Sequence, residues 1–276
     1  MTKKQINWKV ESQRFDGVAV AYEMYRPTYP AELIEDLISL TGIQPASAIL
    51  EIGSGTGKAT RLFAQRGYNI LCLEPGQNLI DVAKEAMAAY REQLQFEQAR
   101  FEEWDANGPQ FDLIYSAQAF HWVPQEVRYV KTAVLLKPKG HLATFWNMYP
   151  GFPGAIGEAL DAIYEEISPE IARAKTDPHE LIAQRKKSME RQERFGNVQV
   201  RTYPWVEKYT AEAYVDLLGT YSDHLRLTEE KRQKLFAAIA NLIEKNGGVI
   251  ERPYLGVLYL LQRKYVIPRS SEESFQ

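Results

Sequence analysis

Hydrophobic positions change period repeatedly along this chain, and each change predicts an element. After Pro30, Leu33, Ile34, Leu37, Ile38 and Leu40 recur at helical spacing as far as Thr41-Gly42, which predicts a helix stopped by a glycine. Residues 48–52 are a short, mostly apolar run, the pattern of a buried strand, and open directly into a glycine-rich stretch over 53–57. Residues 58–66 read as a helix closed by Gly67, and 69–74 as a second strand broken by Pro75-Gly76. A helix over 78–90 carries Leu79, Val82, Ala83, Ala86 and Tyr90 along one side. Alternation predicts a third strand over 94–101 and a fourth over 111–116. A helix over 126–136 ends before Pro138-Lys139-Gly140, and 141–146 is a fifth strand. Strands alternating with helices in this way build a parallel sheet covered on both faces through right-handed crossovers.

The pattern changes after residue 147. Prolines and glycines crowd 148–157, and 157–191 is mostly helical and charged. Residues 198–209 alternate as a strand, 211–245 read as two helices, and 257–264 as a last strand before a loose tail. Too few strands remain here for a second core. The expectation is one α/β domain, a doubly wound, mostly parallel sheet of about seven strands with helical insertions forming a cover. Its parts are an N-terminal arm (1–30), a ligand-binding core (31–147), late strands with the cover (148–266) and a tail (267–276).

Composition narrows the classes. The 276 residues carry a net charge of −3, which argues against coating nucleic acid or an acidic membrane surface. Hydrophobic residues at 45% and charged residues at 25% are ordinary for a globular chain with a sizeable core. The single cysteine, Cys72, excludes an internal disulfide framework and any multi-cysteine zinc module. His141, His179 and His224 show no ligand spacing with one another or with Cys72, so no metal is expected. Neither a secretory h-region nor a run of ~18 apolar residues is found, so the expected setting is cytoplasmic and away from membranes.

The candidate chemistry begins at residues 53–57. Glycine lets a backbone turn with positive φ and approach a ligand closely. A loop at the carboxyl end of the first strand lies where open parallel sheets bind ligands. A P-loop needs glycine at residue 52 and Ser or Thr at 59; the chain has Ile52 and Ala59 around its Gly57-Lys58. A dinucleotide fingerprint puts its third glycine at position 58, where Lys58 stands, which weakens that reading and leaves it open. Glu74 ends the second strand, and a carboxylate about 20 residues beyond such a loop can accept hydrogen bonds from both hydroxyls of a ribose.

An acidic residue, an apolar residue and then Gly-x-Gly-x-Gly is also the first motif of the class I methyltransferases that use S-adenosylmethionine (SAM). Glu51-Ile52-Gly53-Ser54-Gly55-Thr56-Gly57 resembles it in full. The resemblance implies a Rossmann-like fold in which Gly53, Ser54, Gly55 and Gly57 wrap the methionine portion of SAM and Glu51 lies near its cationic amino end. It implies further that Glu74 holds the ribose and that Phe101 and Glu102, from Phe101-Glu102-Glu103-Trp104, flank the adenine. Ser116-Ala117-Gln118-Ala119-Phe120-His121-Trp122 resembles the family's aromatic run after the fourth strand. By that likeness Ser116 and Ala117 meet the cofactor, while His121, Trp122 and Trp146 line the acceptor pocket. Leu136-Lys137-Pro138-Lys139-Gly140 is similar to a family turn, with Lys139 in place of a glycine. Residues 15–30 resemble an arm that closes over the cofactor. There Tyr22 and Tyr25 shield the sulfonium, Tyr22 also faces the acceptor, and Arg26 pairs with the cofactor's carboxylate or an anionic acceptor.

Methyl transfer from a sulfonium is an in-line displacement whose donor is already activated, so the protein mainly aligns the partners and excludes water. A base is needed only where the acceptor must lose a proton, and His121 is the candidate. The expected function is transfer of a methyl group from SAM to a small-molecule acceptor, with S-adenosylhomocysteine (SAH) as product. Residues 101–104 and 117–123 are similar to those of small-acid methyltransferases of the trans-aconitate type. Two alternatives stand beside it, a dinucleotide-dependent oxidoreductase and a SAM-binding domain without catalysis. No basic, aromatic-interleaved patch suited to nucleic acid is found, and the oligomeric state is left open.

Overall fold

The computed structural model describes residues 16–105, 110–172 and 177–264. Its strands are β1 (Ile49–Ile52), β2 (Ile70–Glu74), β3 (Leu94–Gln98), β4 (Phe111–Ala117), β5 (Leu136–Met148), β6 (Gln199–Thr210) and β7 (Val249–Gln262). They form one seven-stranded sheet in the order β3-β2-β1-β4-β5-β7-β6. The first five are mutually parallel, and β7 runs antiparallel to both β5 and β6. The order reverses between β1 and β4, whose following loops therefore diverge and leave a crevice at the carboxyl edge.

The helices are α1 (Ala19–Tyr25), α2 (Ala31–Thr41), α3 (Thr60–Ala64), α4 (Gln77–Ala86), α5 (Gln125–Leu135), α6 (Gly154–Ile167), α7 (Pro178–Glu190), α8 (Ala211–Gly219), α9 (Ser222–Leu225) and α10 (Glu229–Lys245). Alternation along the strands divides the core in two. Leu50, Ile114 and Leu142 pack on one side with Tyr129 and Ala133 of α5. Ile49, Leu113 and Ala143 pack on the other with Leu33, Ile34 and Leu37 of α2 and Phe63 of α3. A third cluster lies away from the parallel strands. Met148 of β5 pairs with Leu255, so β7 runs on past β5, and its free ribbon with β6 carries Tyr209, Ile250 and Tyr254. Those side chains pack against Leu160, Leu217, Leu235 and Ile239 of α6, α8 and α10, which form the helical cover.

Several elements depart from expectation. α1 occupies a stretch with no helical period. The helix expected over 78–90 stops at Ala86, and a 3₁₀ turn, Ala88–Tyr90, follows. β5 begins at Leu136 rather than 141 and absorbs the expected turn through a register shift against Phe111/Leu113; there Lys139 takes a φ of +66° that glycine adopts more easily. β7 begins at Val249 rather than 257. Residues 211–245 make three helices, because Thr228 starts a new one by accepting from Lys231 N. The arm's first fifteen residues and the tail at 267–276 lie outside the described residues.

Candidate active site

The glycines of the β1–α3 loop have three different jobs. Gly53 (φ +72°) lets the loop cross the chain after β4: a Cβ there would stand 2.4 Å from Ala119 Cβ. Gly57 (φ +84°) faces away from the crevice, where a Cβ would meet Met87 Cε at 2.1 Å. Gly55 (φ +56°) has open space where its Cβ would be and lies on the wall of a cavity of about 390 Å³. That volume falls within the usual range for a small-molecule site.

Two buried carboxylates flank this loop. Glu51 Oε2 accepts from Thr60 Oγ1 and from Tyr115 Oη at 2.7 Å, while Oε1 is buried without a partner. Glu74 is fixed by two amides, accepting from Gly55 N at 2.8 Å through Oε2 and from Gly76 N at 2.9 Å through Oε1. Burial pushes both carboxyl groups up to about 7 against the pull of these hydrogen bonds. Both line the cavity.

Most of the expected site residues share that wall. Ser54, Phe101, Glu102, Ala117, His121, Trp122, Tyr22 and Arg26 all line the cavity with the loop and the two carboxylates. Four do not. Gly57 is turned toward Met87. Ser116 lies beneath the floor, its hydroxyl donating to Ile52 O at 2.7 Å. Tyr25 faces the cover, hydrogen-bonded to Asp216 of α8. Trp146 stands behind His121, donating from Nε1 to its Nδ1 at 3.4 Å.

His121 is exposed and lines the cavity. Desolvation, helped by the charges of Arg185 and Arg128, lowers its basicity to about 4. Lys58, also on the wall, is tied back to α1: its amino group donates to Glu23 O and lies 3.6 Å from Glu23 Oε2. The arm is thus strapped to the loop, with Arg61 Nη2 adding a 2.6 Å bond to Glu23 Oε1.

Three features gave no sequence signal. Gln118 takes a φ of +61°, unusual for a side-chain-bearing residue, and lines the wall next to Ala119. Asp223 reaches the cavity from α9, and its Oδ1 accepts from His224 N at 2.9 Å and sits 2.7 Å from His224 Nδ1. Tyr164 Oη backs the same imidazole at 2.8 Å from Nε2. The third is Arg252 of β7, 2% exposed, which lines a second cavity of about 140 Å³. Tyr149, Tyr254, Tyr221 and Tyr214 surround its guanidinium carbon with ring centroids at 4.1, 5.1, 5.4 and 5.5 Å. Such ring contacts are worth about 2 kcal/mol when desolvated, against a burial cost of several kcal/mol for an unpaired ion.

Residues 49–140 match the family model described as a methyltransferase domain. An uncharacterized methyltransferase of Mycobacterium tuberculosis is 27% identical over 90% of this chain and 93% of its own length. The protein is a SAM-dependent methyltransferase. A malonyl-[acyl-carrier protein] O-methyltransferase of Brevibacillus brevis is 30% identical over 52% of this chain and 57% of that protein. The fold is also that of a SAM-dependent methyltransferase from Thiobacillus denitrificans, crystallised with SAH, at a TM-score of 0.53, 16% identity, and coverage of 91% and 98%.

The methyltransferase's own residues fit this cofactor. SAM bears a sulfonium and an ammonium, and the cavity offers an unpartnered buried oxygen at Glu51 and a second carboxylate at Glu74. Gly55 leaves room for close approach. The dinucleotide alternative is not favoured, and Lys58, which already counted against it, serves as a tether to α1. Among the described residues no group of three His, Cys, Asp or Glu side chains is placed to hold a metal, and no helix is long and apolar enough to cross a membrane.

Proposed function

We propose that this methyltransferase acts on a small-molecule acceptor that enters between the arm and the cover, and that the loop and acids described above hold SAM. The observation that carries the residue assignments is the pair of buried carboxylates, Glu51 and Glu74, on either side of an open-faced glycine at the sheet's reversal point. Glu51 is assigned to the ammonium end, Glu74 to the ribose hydroxyls, and Phe101 and Glu102 to the adenine. Ser54, Gly53, Gly55 and Ala117 are assigned to close backbone approach. Gly57 and Ser116 shape the loop from behind, and Tyr25 and Trp146 act as supports. Tyr22 and Trp122 enclose the reacting end.

The bound cofactor supplies a methyl group on a positively charged sulfur; the acceptor–carbon bond forms as the carbon–sulfur bond breaks, and its electron pair stays on sulfur. The chain's part is to orient and to exclude water. Tyr22, held within α1 by the Glu23–Lys58–Arg61 strap, presents an aromatic face to a cationic centre. With Trp146 donating to Nδ1, neutral His121 carries its proton on Nε2 and serves as a donor rather than as the expected base. The parts of the domain follow the same division of labour: arm as lid, residues 31–147 as cofactor core, later strands and helices as acceptor cover. A net charge of −3 and one buried, unpaired Cys72 support a cytoplasmic enzyme without nucleic-acid or membrane partners.

Calorimetric titration tests the reading. SAH is expected to bind and NAD not to, and Glu74→Gln is expected to weaken SAH at least about tenfold through loss of a charged acceptor. Retention of NAD with no uptake of SAH would overturn the assignment.

A further inference from the structure

We propose that the second cavity, lined by Arg252 and Arg26, whose guanidinium carbons lie 5.4 and 4.0 Å from the Tyr221 ring centroid, is the subsite that binds a carboxylate of the methyl acceptor. This rests on the methyltransferase reading and names the chemical class of its substrate. Arg252 is a permanent cation with five N–H donors. The structure gives one of them a protein acceptor, Tyr214 Oη, 3.3 Å from Nη1, and its Nε is buried with no partner. Its cross-strand neighbour Glu207 forms no ion pair with it; that carboxylate accepts instead from Lys208 N at 3.3 Å. Arg26 lies over the Tyr221 ring at 4.0 Å from its centroid, and its Nε and Nη2 donate to Thr220 Oγ1 and O at 2.7 and 2.8 Å. Those contacts fix the guanidinium without neutralising it.

The acids are segregated between the two cavities. Glu51, Glu74, Glu102 and Asp223 line the larger one beside Arg26, Lys58 and Arg100, whereas among the described residues no Asp or Glu lines the smaller, which has Arg26, Arg252 and Lys58. Among the described residues, Lys58 is the only one of these cations in an ion pair, with Glu23. Tyr22, Arg26, Tyr29, Lys58, Gln118 and Tyr221 belong to both walls, so an acceptor anchored in the smaller cavity extends into the larger one. A planar guanidinium fork matches a carboxylate in bidentate geometry, and about 140 Å³ accommodates such a group with a short stem.

SAH-loaded protein titrated with succinate, with its neutral diamide and with inorganic phosphate tests the proposal. Succinate is expected to bind and the diamide not to. Arg252→Gln is expected to weaken succinate at least about tenfold with SAH affinity unchanged, since Arg252 lines only the smaller cavity. Arg26→Gln, read by succinate binding alone, replaces that variant should it fail to fold. In an acceptor screen read by SAH formation, Arg252→Gln should raise KM for carboxylates and leave kcat nearly intact. Equal binding of succinate and diamide, preference for phosphate, or succinate binding that survives both substitutions would overturn the proposal. Succinate uptake without any SAH binding would instead count against the SAM assignment.

Discussion

A neutral imidazole whose Nδ1 accepts from Trp146 Nε1 has its remaining proton on Nε2, and its basicity near 4 leaves it almost wholly uncharged at neutral pH. From sequence, His121 has the titration range of a base; in the fold, desolvation and two arginine charges remove it. An acceptor whose attacking atom is already deprotonated needs no base. His121→Ala is therefore expected to keep turnover within about tenfold of the parent, whereas loss of a true general base costs about 10²–10⁴. Steady-state kinetics on the identified acceptor decide between them. The acids were readable from sequence because a motif and a strand end mark them. Arg252 was not, since an arginine before a proline carries no sign that four tyrosines will bury it.

Among elements, the βαβ half was legible because its hydrophobic period changes cleanly between two and 3.6. α1 was not, for a physical reason: its apolar Val20 and Met24 are 64% and 65% exposed, while Tyr22 and Arg26 face the cavity. A helix that turns its functional side inward lacks the usual amphipathic stripe. Pro253 and Gly256 interrupt the apolar run of β7 and hide its first half in the sequence, yet Pro253 pairs with Val206 in the free ribbon with β6. The glycine loop yields a paired test. Gly53 and Gly42 both have positive φ, +72° and +66°, but only Gly53 lacks room for a Cβ. Alanine at either costs about 1–2 kcal/mol of backbone strain. Gly53→Ala is expected to weaken SAH binding at least about tenfold as well, by prying the loop from Ala119, while Gly42→Ala leaves affinity unchanged by calorimetry.

For the whole molecule, the raised carboxyl groups of Glu51 and Glu74 link stability to pH. Each is lifted from 4.5 to about 7, so between those values the folded chain holds more protons than the unfolded one. Their contribution to stability therefore falls as pH rises through that window. Cofactor binding runs the other way, because the ionised acids attract the ammonium and accept from ribose hydroxyls. Without ligand, the melting temperature of the parent relative to Glu74→Gln is expected to drop between pH 5.5 and 7.5. The upward shift caused by saturating SAH is expected to grow over the same range, as scanning calorimetry in the two conditions measures. An SAH-induced shift that is flat with pH would mean that neither acid titrates at the ligand.

The amino-acid sequence alone determined what is local: the alternation that makes the parallel strands, the glycines that permit positive φ, and the acids at two adjacent strand ends. These depend on neighbours a few residues away, so their chemistry is written in the chain. Only the tertiary structure decided which distant side chains share a surface. The cover helices and the β6–β7 ribbon bring Arg252 and Tyr221 to Arg26 of the arm, and the same packing turns Tyr25 and Trp146 away from the cavity. Burial and charge at these meeting points arise from packing, and no short stretch of sequence contains them.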